Sequence, residues 1–278
     1  MKNNNETLYN LKYLIFLNNV RGLKILEIFK KKKLEFDVII TKKNLNKSII
    51  IPIKRLNIKF TLIENCKNLK NKLRKTFDIF ILAGFPHKLS KENLKLPKIG
   101  TINLHAGPLP KYMGGSPLNW QIINGEKKIG ISIIKANAKI DGGKILFKKF
   151  FELKKNQNIM TAHRKANYLF SKNIFKSIYN LVNKKYLNKR GKKNYFKQRS
   201  EKDSKINFEK MTAIEIVNLA RSQFPLYTPA FFLIGKKKVF FKKAYKIKKN
   251  SKDQFKYFFK CKKFYVGIKN EDILNFRN

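Results

Sequence analysis

Short apolar stretches alternate with amphipathic stretches along the first part of the chain. Five runs rich in Ile, Leu and Phe have the length of buried strands: 12–18, 36–41, 59–63, 77–83 and 99–103. Residues 22–33 follow the first run, and their apolar positions recur with the period of a helix. Strands that alternate with helices form a mostly parallel sheet covered on both faces. The pattern therefore predicts an α/β fold with ligands bound near the carboxyl ends of the strands.

The same pattern continues beyond residue 120. Residues 129–135 and 144–151 predict a further pair of strands around the turn at Asp141-Gly142-Gly143. Apolar residues then line one side of a predicted long helix over 159–183. The pattern thus extends the sheet and covers it with a further helix.

A change in composition marks the predicted domain boundary. Residues 186–205 are polar and strongly basic and contain a glycine, which is typical of a solvated linker. We therefore expect a main domain over 1–185 and a small domain over 206–278. Residues 230–276 are rich in Phe, Tyr and Val and are broken by glycines, which predicts several short antiparallel strands in a small barrel or sheet.

The composition excludes several classes of protein. Hydrophobic residues make up 43% of the 278 residues, which is enough for a globular core. Cys66 and Cys261 can form neither a disulfide framework nor a four-thiolate metal site, and no metal ligand spacing is present. The polar start of the chain, residues 1–10, resembles no signal peptide, and no apolar run reaches the length of a membrane span. We expect a cytoplasmic protein without a membrane partner.

The chain is strongly basic, with 64 Lys and Arg against 17 Asp and Glu, a formal net charge of +47. Such a charge attracts phosphates, and nucleic acid or anionic lipid is the direct interpretation. The alternative is an AT-rich coding bias that inflates Lys, Asn and Ile together. Because the lysines are spread along the whole chain, a solvated basic surface is favoured over a dedicated binding tail. The charge alone does not identify a partner.

Histidine is the side chain best suited to proton transfer near neutral pH, and the chain has only three. His163 lies within the predicted long helix, where a surface role is the default. His105 follows a predicted strand and precedes a loop, and Asn103 points to the same side two residues earlier. An amide donor for an oxyanion next to an imidazole is typical of a catalytic site. A packed loop histidine explains this pattern equally well.

Longer motifs connect this region to a known family. Residues 102–120 read INLHAGPLPKYMGGSPLNW, and further matching motifs follow in order at 124–126, 130–133 and 140–143. Together they resemble the signature of the 10-formyltetrahydrofolate-dependent formyltransferases, a family that includes methionyl-tRNA and nucleotide-sugar N-formyltransferases. Segments at 206–208, 220–221 and 225–232 resemble the start of the C-terminal domain of that family. The resemblance implies a Rossmann-like formyltransferase sheet followed by a small β-rich, barrel-like domain.

The resemblance also implies a catalytic group made of Asn103, His105 and Asp141. Asn103 would stabilise the oxyanion of a tetrahedral intermediate, and His105 would move the proton. Asp141 would favour the imidazolium and so raise the pKa of His105. Without the resemblance, Asp141 before two glycines is first of all a turn residue.

The implied formyl donor is 10-formyltetrahydrofolate, held by backbone and apolar groups without a metal. Three loops would form this pocket: His87, Lys88 and Leu89; Gly107, Pro108, Leu109 and Pro110; and Asn137, Ala138, Lys139 and Ile140. Two positions depart from the family pattern. Gly107-Pro108 replaces the usual Ser-Leu, and Met113 replaces a basic residue, so loop shape or acceptor recognition is expected to differ.

Two acceptor amines fit the resemblance, those of a nucleotide-linked amino sugar and of methionyl-tRNA. Residues 41–48 are basic but shorter than the insertion of the tRNA enzymes, and 206–278 is shorter than their C-terminal domain. Residues 117–120 are more similar to the sugar-modifying branch. These features favour the small-molecule sugar, whereas the net charge favours tRNA. The sequence does not indicate an oligomeric state.

A non-catalytic RNA-binding protein is a third interpretation. Aromatic residues between 255 and 265 are interleaved with lysines, as in small barrels that bind single-stranded nucleic acid. Alternation along strands would instead place the aromatic residues in the core and the lysines outside. Such a protein would have no use for Asn103, His105 and Asp141.

Overall fold

A computed structural model describes residues 8–274. Residues 1–7 of the polar start and the end of the predicted strand region, 275–276, lie outside this range. The chain divides into two compact units, each made of three segments. The first comprises Met1–Met113, Gly130–Phe150 and Lys165–Asn194, and the second comprises Gly114–Ile129, Phe151–Arg164 and Tyr195–Asn278. The single boundary expected at 186–205 stays a prediction.

Seven strands form one sheet that follows the predicted α/β pattern: β1 (Tyr13–Leu17), β2 (Phe36–Thr41), β3 (Thr61–Ile63), β4 (Ile79–Ala83), β5 (Gly100–His105), β7 (Lys128–Lys135) and β8 (Lys144–Glu152). Their order in the sheet is β3-β2-β1-β4-β5-β7-β8. Two-residue strands, β6 (Met113–Gly114) and β9 (Tyr195–Phe196), lie outside this sheet. The first five are paired in parallel, and β7 runs antiparallel to β5. The predicted mostly parallel sheet is therefore confirmed.

Helices alternate with these strands. They are α1 (Val20–Lys31), α2 (Lys47–Arg55), α3 (Leu69–Lys72), α4 (Pro117–Ile123), α5 (Ile159–Val182) and α6 (Ala213–Gln223). The sequence analysis did not predict α2, which contains Pro52 and begins where the Asn46 side chain accepts a hydrogen bond from the Ser48 amide. Within residues 8–274, no helix is both long and apolar enough to cross a membrane.

The core of the first unit explains why the central strands read as unbroken apolar runs. Every residue of β1 and β4 is buried, since both are interior strands of a sheet. One cluster packs Phe16 and Phe80 edge to face, with ring centroids 5.3 Å apart. The apolar side chains thus fix the strand positions, and with them the polar residues at the strand ends.

The second unit is β-rich, as predicted. Two three-stranded antiparallel sheets have the orders β10-β11-β15 and β12-β14-β13. Their strands are β10 (Ala230–Ile234), β11 (Lys237–Phe241), β12 (Tyr245–Ile247), β13 (Tyr257–Lys260), β14 (Tyr265–Ile268) and β15 (Ile273–Leu274). Phe208 stacks on Phe259 at 3.9 Å, and both contact Phe232, so these aromatic residues form core rather than an exposed platform.

Residues 196–199 contact the single tryptophan of the chain within the second unit. The Trp120 indole donates a hydrogen bond to the Lys197 carbonyl at 2.9 Å. The Trp120 ring also contacts Phe196 and the Arg199 guanidinium, at 5.4 and 4.9 Å between centres. Trp120 therefore packs against its own chain, which is the common role of a lone tryptophan.

The close approach of α1 to the sheet gives a first prediction. A Cβ on Gly22 would lie 2.2 Å from the Leu17 Cβ and 3.0 Å from the Ala83 carbonyl oxygen. We expect Gly22→Ala to lower the free energy of unfolding by about 1–3 kcal/mol, because the helix must move away from the core. Urea unfolding measures this change. Lys31→Ala, at an exposed position of α1, should alter stability by no more than about 0.5 kcal/mol. Equal changes in the two variants would contradict the steric explanation.

Candidate active site

Strand β5 places two predicted site residues at the carboxyl edge of the sheet. Its register pairs Asn103 with Leu82 of β4 and His105 with Ser132 of β7, so neighbours on both sides hold it. His105 is buried, with 6% of its surface exposed, and Asn103 is half-buried. Within the described residues, no hydrogen bond is recorded for the Asn103 side-chain amide. Its N–H donors are thus available to a bound molecule.

Asp141 meets His105 across this edge. The Nδ1 atom of His105 lies 3.3 Å from Oδ1 of Asp141, and both side chains are 6% exposed. The other ring nitrogen, Nε2, lies 2.5 Å from the carbonyl oxygen of Tyr112. Because a carbonyl oxygen can only accept, Nε2 carries a proton in this arrangement. The structure thus brings together two of the three predicted catalytic side chains.

The electrostatics of the pair correct one expectation. The net pKa of His105 is lowered, because burial disfavours the charged ring. The Asp141 carboxylate and the Tyr112 carbonyl act in the opposite direction, and the cations of Arg21 and Lys189 add to the lowering. The expected upward effect of Asp141 on the pKa is present, but desolvation outweighs it.

With the imidazole uncharged, the pair has room for one more proton. With Nε2 protonated, the free lone pair on Nδ1 faces a carboxylate oxygen across 3.3 Å, and no hydrogen joins them. A proton placed between these atoms would turn both ring nitrogens into donors, each aimed at an acceptor. The pair can therefore take up one proton from a reacting group and hold it in a charge-assisted hydrogen bond.

A tight turn holds Asp141 in place. Asp141 has φ +50°, a left-handed conformation that Asp tolerates. Two residues later, a Cβ at Gly143 would lie 1.8 Å from the Lys135 carbonyl oxygen, so glycine is required there. The Lys189 ammonium donates to the Asp141 carbonyl at 3.2 Å. Burial is the main cause that lowers the pKa of Lys189. Sequence reasoning named the glycines but had no signal for Lys189.

The predicted loop from Gly107 to Pro110 is buried along its whole length. The Leu109 amide donates to Ser132 Oγ at 3.0 Å, and the Lys148 ammonium donates to the Leu109 carbonyl at 2.8 Å. Burial lowers the pKa of Lys148. The sequence analysis included Ser132 in the motif at 130–133 but assigned it no role. No sequence pattern indicated a role for Lys148. Both side chains fix the backbone of this loop.

The other two predicted loops have different surroundings. Residues 137–140 are all exposed and lead directly into Asp141. His87 contacts Thr41, with 3.2 Å between Nε2 and Oγ1, and Lys88 is exposed. Leu89 is 2% exposed and belongs to the core cluster, so only its backbone could face a ligand.

Acidic residues, cysteines and histidines do not gather elsewhere into a metal site. Over residues 8–274, no group of three or more such side chains could hold a metal ion. The chemistry that the described residues support at this edge is proton transfer beside a free amide donor.

The lowered pKa of His105 predicts how stability depends on pH. Since the ordinary value is 6.5, the unfolded chain binds more protons at this residue than the folded chain does at acid pH. The stabilising contribution is present above about pH 6.5 and is lost as the pH falls through the lowered value. In His105→Gln, we expect the free energy of unfolding to fall less steeply with decreasing pH than in the wild type. Urea titration at several pH values measures this dependence. His163→Gln is the matched control, and equal slopes in wild type and His105→Gln would contradict the assignment.

Comparison with known proteins adds to this geometry. Residues 41–176 match the family model described as formyl transferase. A methionyl-tRNA formyltransferase of Malacoplasma penetrans is 33% identical over 169 residues, covering 59% of this chain and 53% of that protein. The chain thus matches about half the length of this curated relative.

Solved structures extend the likeness to nearly the whole chain. An N-formyltransferase from Helicobacter canadensis, solved with folinic acid and dTDP-3-aminofucose, has a TM-score of 0.66 at 22% identity. The match covers 95% of this chain and 97% of that one. The methionyl-tRNA formyltransferase from Clostridium thermocellum has a TM-score of 0.60 at 21% identity, over 87% of this chain and 95% of that one. The matched segment carries the strand with Asn103 and His105 and the turn with Asp141, so the similarity to formyl transferases includes all three predicted catalytic residues.

Proposed function

We propose that this protein is an N-formyltransferase that moves a formyl group from 10-formyltetrahydrofolate to a primary amine. The observation that carries the proposal is the buried contact between His105 and Asp141 beside the free amide of Asn103. These three side chains supply what acyl transfer to an amine requires, a donor for an oxyanion and an acceptor for a proton.

The reaction can be written with these side chains as a balanced transfer. The acceptor nitrogen forms a bond to the formyl carbon, and the carbonyl electrons move to oxygen. The Asn103 amide donates a hydrogen bond to that oxyanion, and the His105–Asp141 pair takes the extra proton from the attacking nitrogen. When the bond between the formyl carbon and the folate nitrogen breaks, the pair returns the proton to that nitrogen. No net charge or proton is gained.

The burial of the pair determines its role as a base. At neutral pH burial keeps His105 uncharged, which leaves it able to accept a proton. Once protonated, the ring would donate to both Asp141 and the Tyr112 carbonyl. Proton transfer by a positioned side chain is typically worth about 10²–10⁴-fold in rate.

The loops around this pair suit a folate. The backbone from Gly107 to Pro110 is held rigid by Ser132 and Lys148, and residues 137–140 are exposed beside Asp141. A fixed loop with backbone donors and acceptors can hold a pterin edge, and neighbouring apolar groups can cover its ring. We include His87, Lys88 and the Leu89 backbone in the donor site on the family resemblance.

For the acceptor we propose the amino group of methionyl-tRNA. The relatives at 33–36% identity are methionyl-tRNA formyltransferases, and the net charge of +47 suits a partner rich in phosphates. The expectation from the sequence favoured a nucleotide-linked sugar because of the short 41–48 segment. We give the relatives more weight, since the sugar-modifying neighbours share the fold at only 20–22% identity.

The second candidate is the amine of a nucleotide-linked amino sugar. The Helicobacter canadensis enzyme, solved with such a ligand, matches nearly the full length of both chains, which is the observation in its favour. A non-catalytic RNA-binding role is the remaining alternative, and it predicts no formyl transfer at all.

The test is a comparison of formyl transfer from 10-formyltetrahydrofolate to methionyl-tRNA and to a panel of nucleotide-linked amino sugars. We expect turnover of methionyl-tRNA that falls at least about 10²-fold in His105→Ala. His163→Ala, which replaces a histidine outside the site, should retain wild-type activity. Turnover of a sugar alone would move the acceptor to the second candidate. RNA binding without transfer to any amine, unchanged in His105→Ala, would overturn the enzymatic proposal.

Asn103 gives a separate prediction. If its amide stabilises the oxyanion, Asn103→Ala should lower kcat by about 10²–10³-fold with little change in KM, because the interaction forms in the transition state. Asn103→Asp keeps the shape but removes both donors, so it should be at least as impaired. Steady-state kinetics with thermal unfolding of each variant measures this. An increase in KM with unchanged kcat would instead indicate that Asn103 binds the substrate in the ground state.

A further inference from the structure

A small cavity in the second unit is lined by none of the three predicted catalytic side chains. It has a volume of about 210 Å³ and lies against the C-terminal half of α6, the residues before α5, the turn after β11 and the residue before β15. Val217, Phe224 and Ala244 supply apolar surface to its wall. Four cations also line it, namely Lys155, Arg221, Lys242 and Lys243. The cavity therefore combines an apolar surface with positive charge.

Arg221 is a fixed and uncompensated cation in this wall. Its guanidinium donates to Asn218 Oδ1 at 3.0 Å and to the carbonyls of Lys154 and Gln157 at 3.3 and 3.1 Å. All three acceptors are neutral, and burial lowers its pKa. A half-buried guanidinium without a carboxylate partner favours an anion beside it.

Asp272 gives an independent sign of a ligand. It is 3% exposed, it lines the cavity, and its Oδ2 atom is buried without a hydrogen-bond partner among the described residues. A buried carboxylate oxygen normally accepts hydrogen bonds, and leaving it unmatched costs free energy. Lys243 lies near this carboxylate and is also held by Tyr245. A ligand with an N–H or O–H donor would satisfy the Oδ2 atom of Asp272.

We propose that this cavity binds a nucleotide. The ligand must carry an anionic group for Arg221 and the lysines, a donor for Asp272 and a flat apolar body for Phe224 and Val217. A nucleotide has all three, in its phosphate, its base or ribose donors and its base face. The cavity accommodates a base or a ribose, and the exposed Lys155 and half-buried Lys242 can reach a phosphate at its rim.

The general basicity of the chain does not account for these features. Most lysines are exposed, and their attraction for anions is screened at about 0.15 M salt. Arg221 is instead fixed by three hydrogen bonds, and Asp272 repels anions, so a site for phosphate alone would not contain it. The carboxylate thus selects for a ligand with a donor-bearing ring.

Titration calorimetry of the full chain at about 0.15 M salt tests this, with AMP, GMP and UMP as ligands. Pyrophosphate, ribose 5-phosphate and adenosine are the comparison ligands, each lacking part of a nucleotide. We expect at least one nucleotide to bind at least about tenfold more tightly than all three. Nucleotide binding no tighter than pyrophosphate would overturn the proposal, since it would reflect general attraction for anions.

The variants separate binding from folding. Asp272→Asn removes a charge with no protein partner at Oδ2, so we expect nucleotide affinity to fall at least about tenfold while the thermal midpoint is kept or raised. Arg221→Gln should also weaken binding, but it loses backbone contacts and can lower the midpoint. Lys236→Gln, exposed in the turn before β11, is the matched control and should bind as wild type. Unchanged affinity in Asp272→Asn would overturn the site.

A competition arm identifies the source of the nucleotide. Displacement of the bound mononucleotide by uncharged tRNA would assign the site to a nucleotide of an RNA, and no displacement would assign it to a free nucleotide. Nucleotide binding can be tested separately from formyl transfer, because we expect His105→Ala to lose the transfer activity and to bind the nucleotide as wild type does. Loss of binding in His105→Ala would place the ligand in the catalytic site and overturn the proposal.

Discussion

The function that we propose depends on a buried imidazole and a buried carboxylate that lie 3.3 Å apart, each with 6% of its side chain exposed. Burial disfavours the charged form of the imidazole, whereas the contact with the carboxylate favours it. In His105 burial dominates, so the pair is one proton short of satisfying every acceptor around the ring. In the reaction that we propose, the pair accepts a proton from the attacking amine and later returns it.

The rest of the first unit keeps these two groups together. His105 ends a strand held on both sides, and Asp141 lies in a turn whose glycine presses against the end of β7. The buried loop after His105 is fixed by Ser132 and Lys148 rather than by its own sequence. A parallel sheet presents such residues at one edge, where the strands end. The sheet is thus a rigid support for the short edge that carries His105 and Asp141.

The sequence predicted the parts of the structure that depend on local pattern. Strands such as Tyr13–Leu17 were evident from unbroken apolar runs, whereas the pairing of His105 with Asp141 was implied by the resemblance to a known family. Helix α2 was missed because a run of isoleucines before Pro52 is typical of an extended segment. Packing and the Asn46 cap stabilise a helix there instead. Lys148 and Lys189 were missed because their partners are backbone carbonyls distant in sequence, which no spacing reveals.

The central claim is that the His105–Asp141 pair acts as the base in formyl transfer. The most direct measurement is the pH dependence of single-turnover formyl transfer to methionyl-tRNA, in wild type and in Asp141→Asn. Since Asp141 acts to raise the pKa of His105, its removal should shift the acid limb of the profile to lower pH and lower the maximum rate. An acid limb that stays at the same pH, or moves to higher pH, would contradict the account.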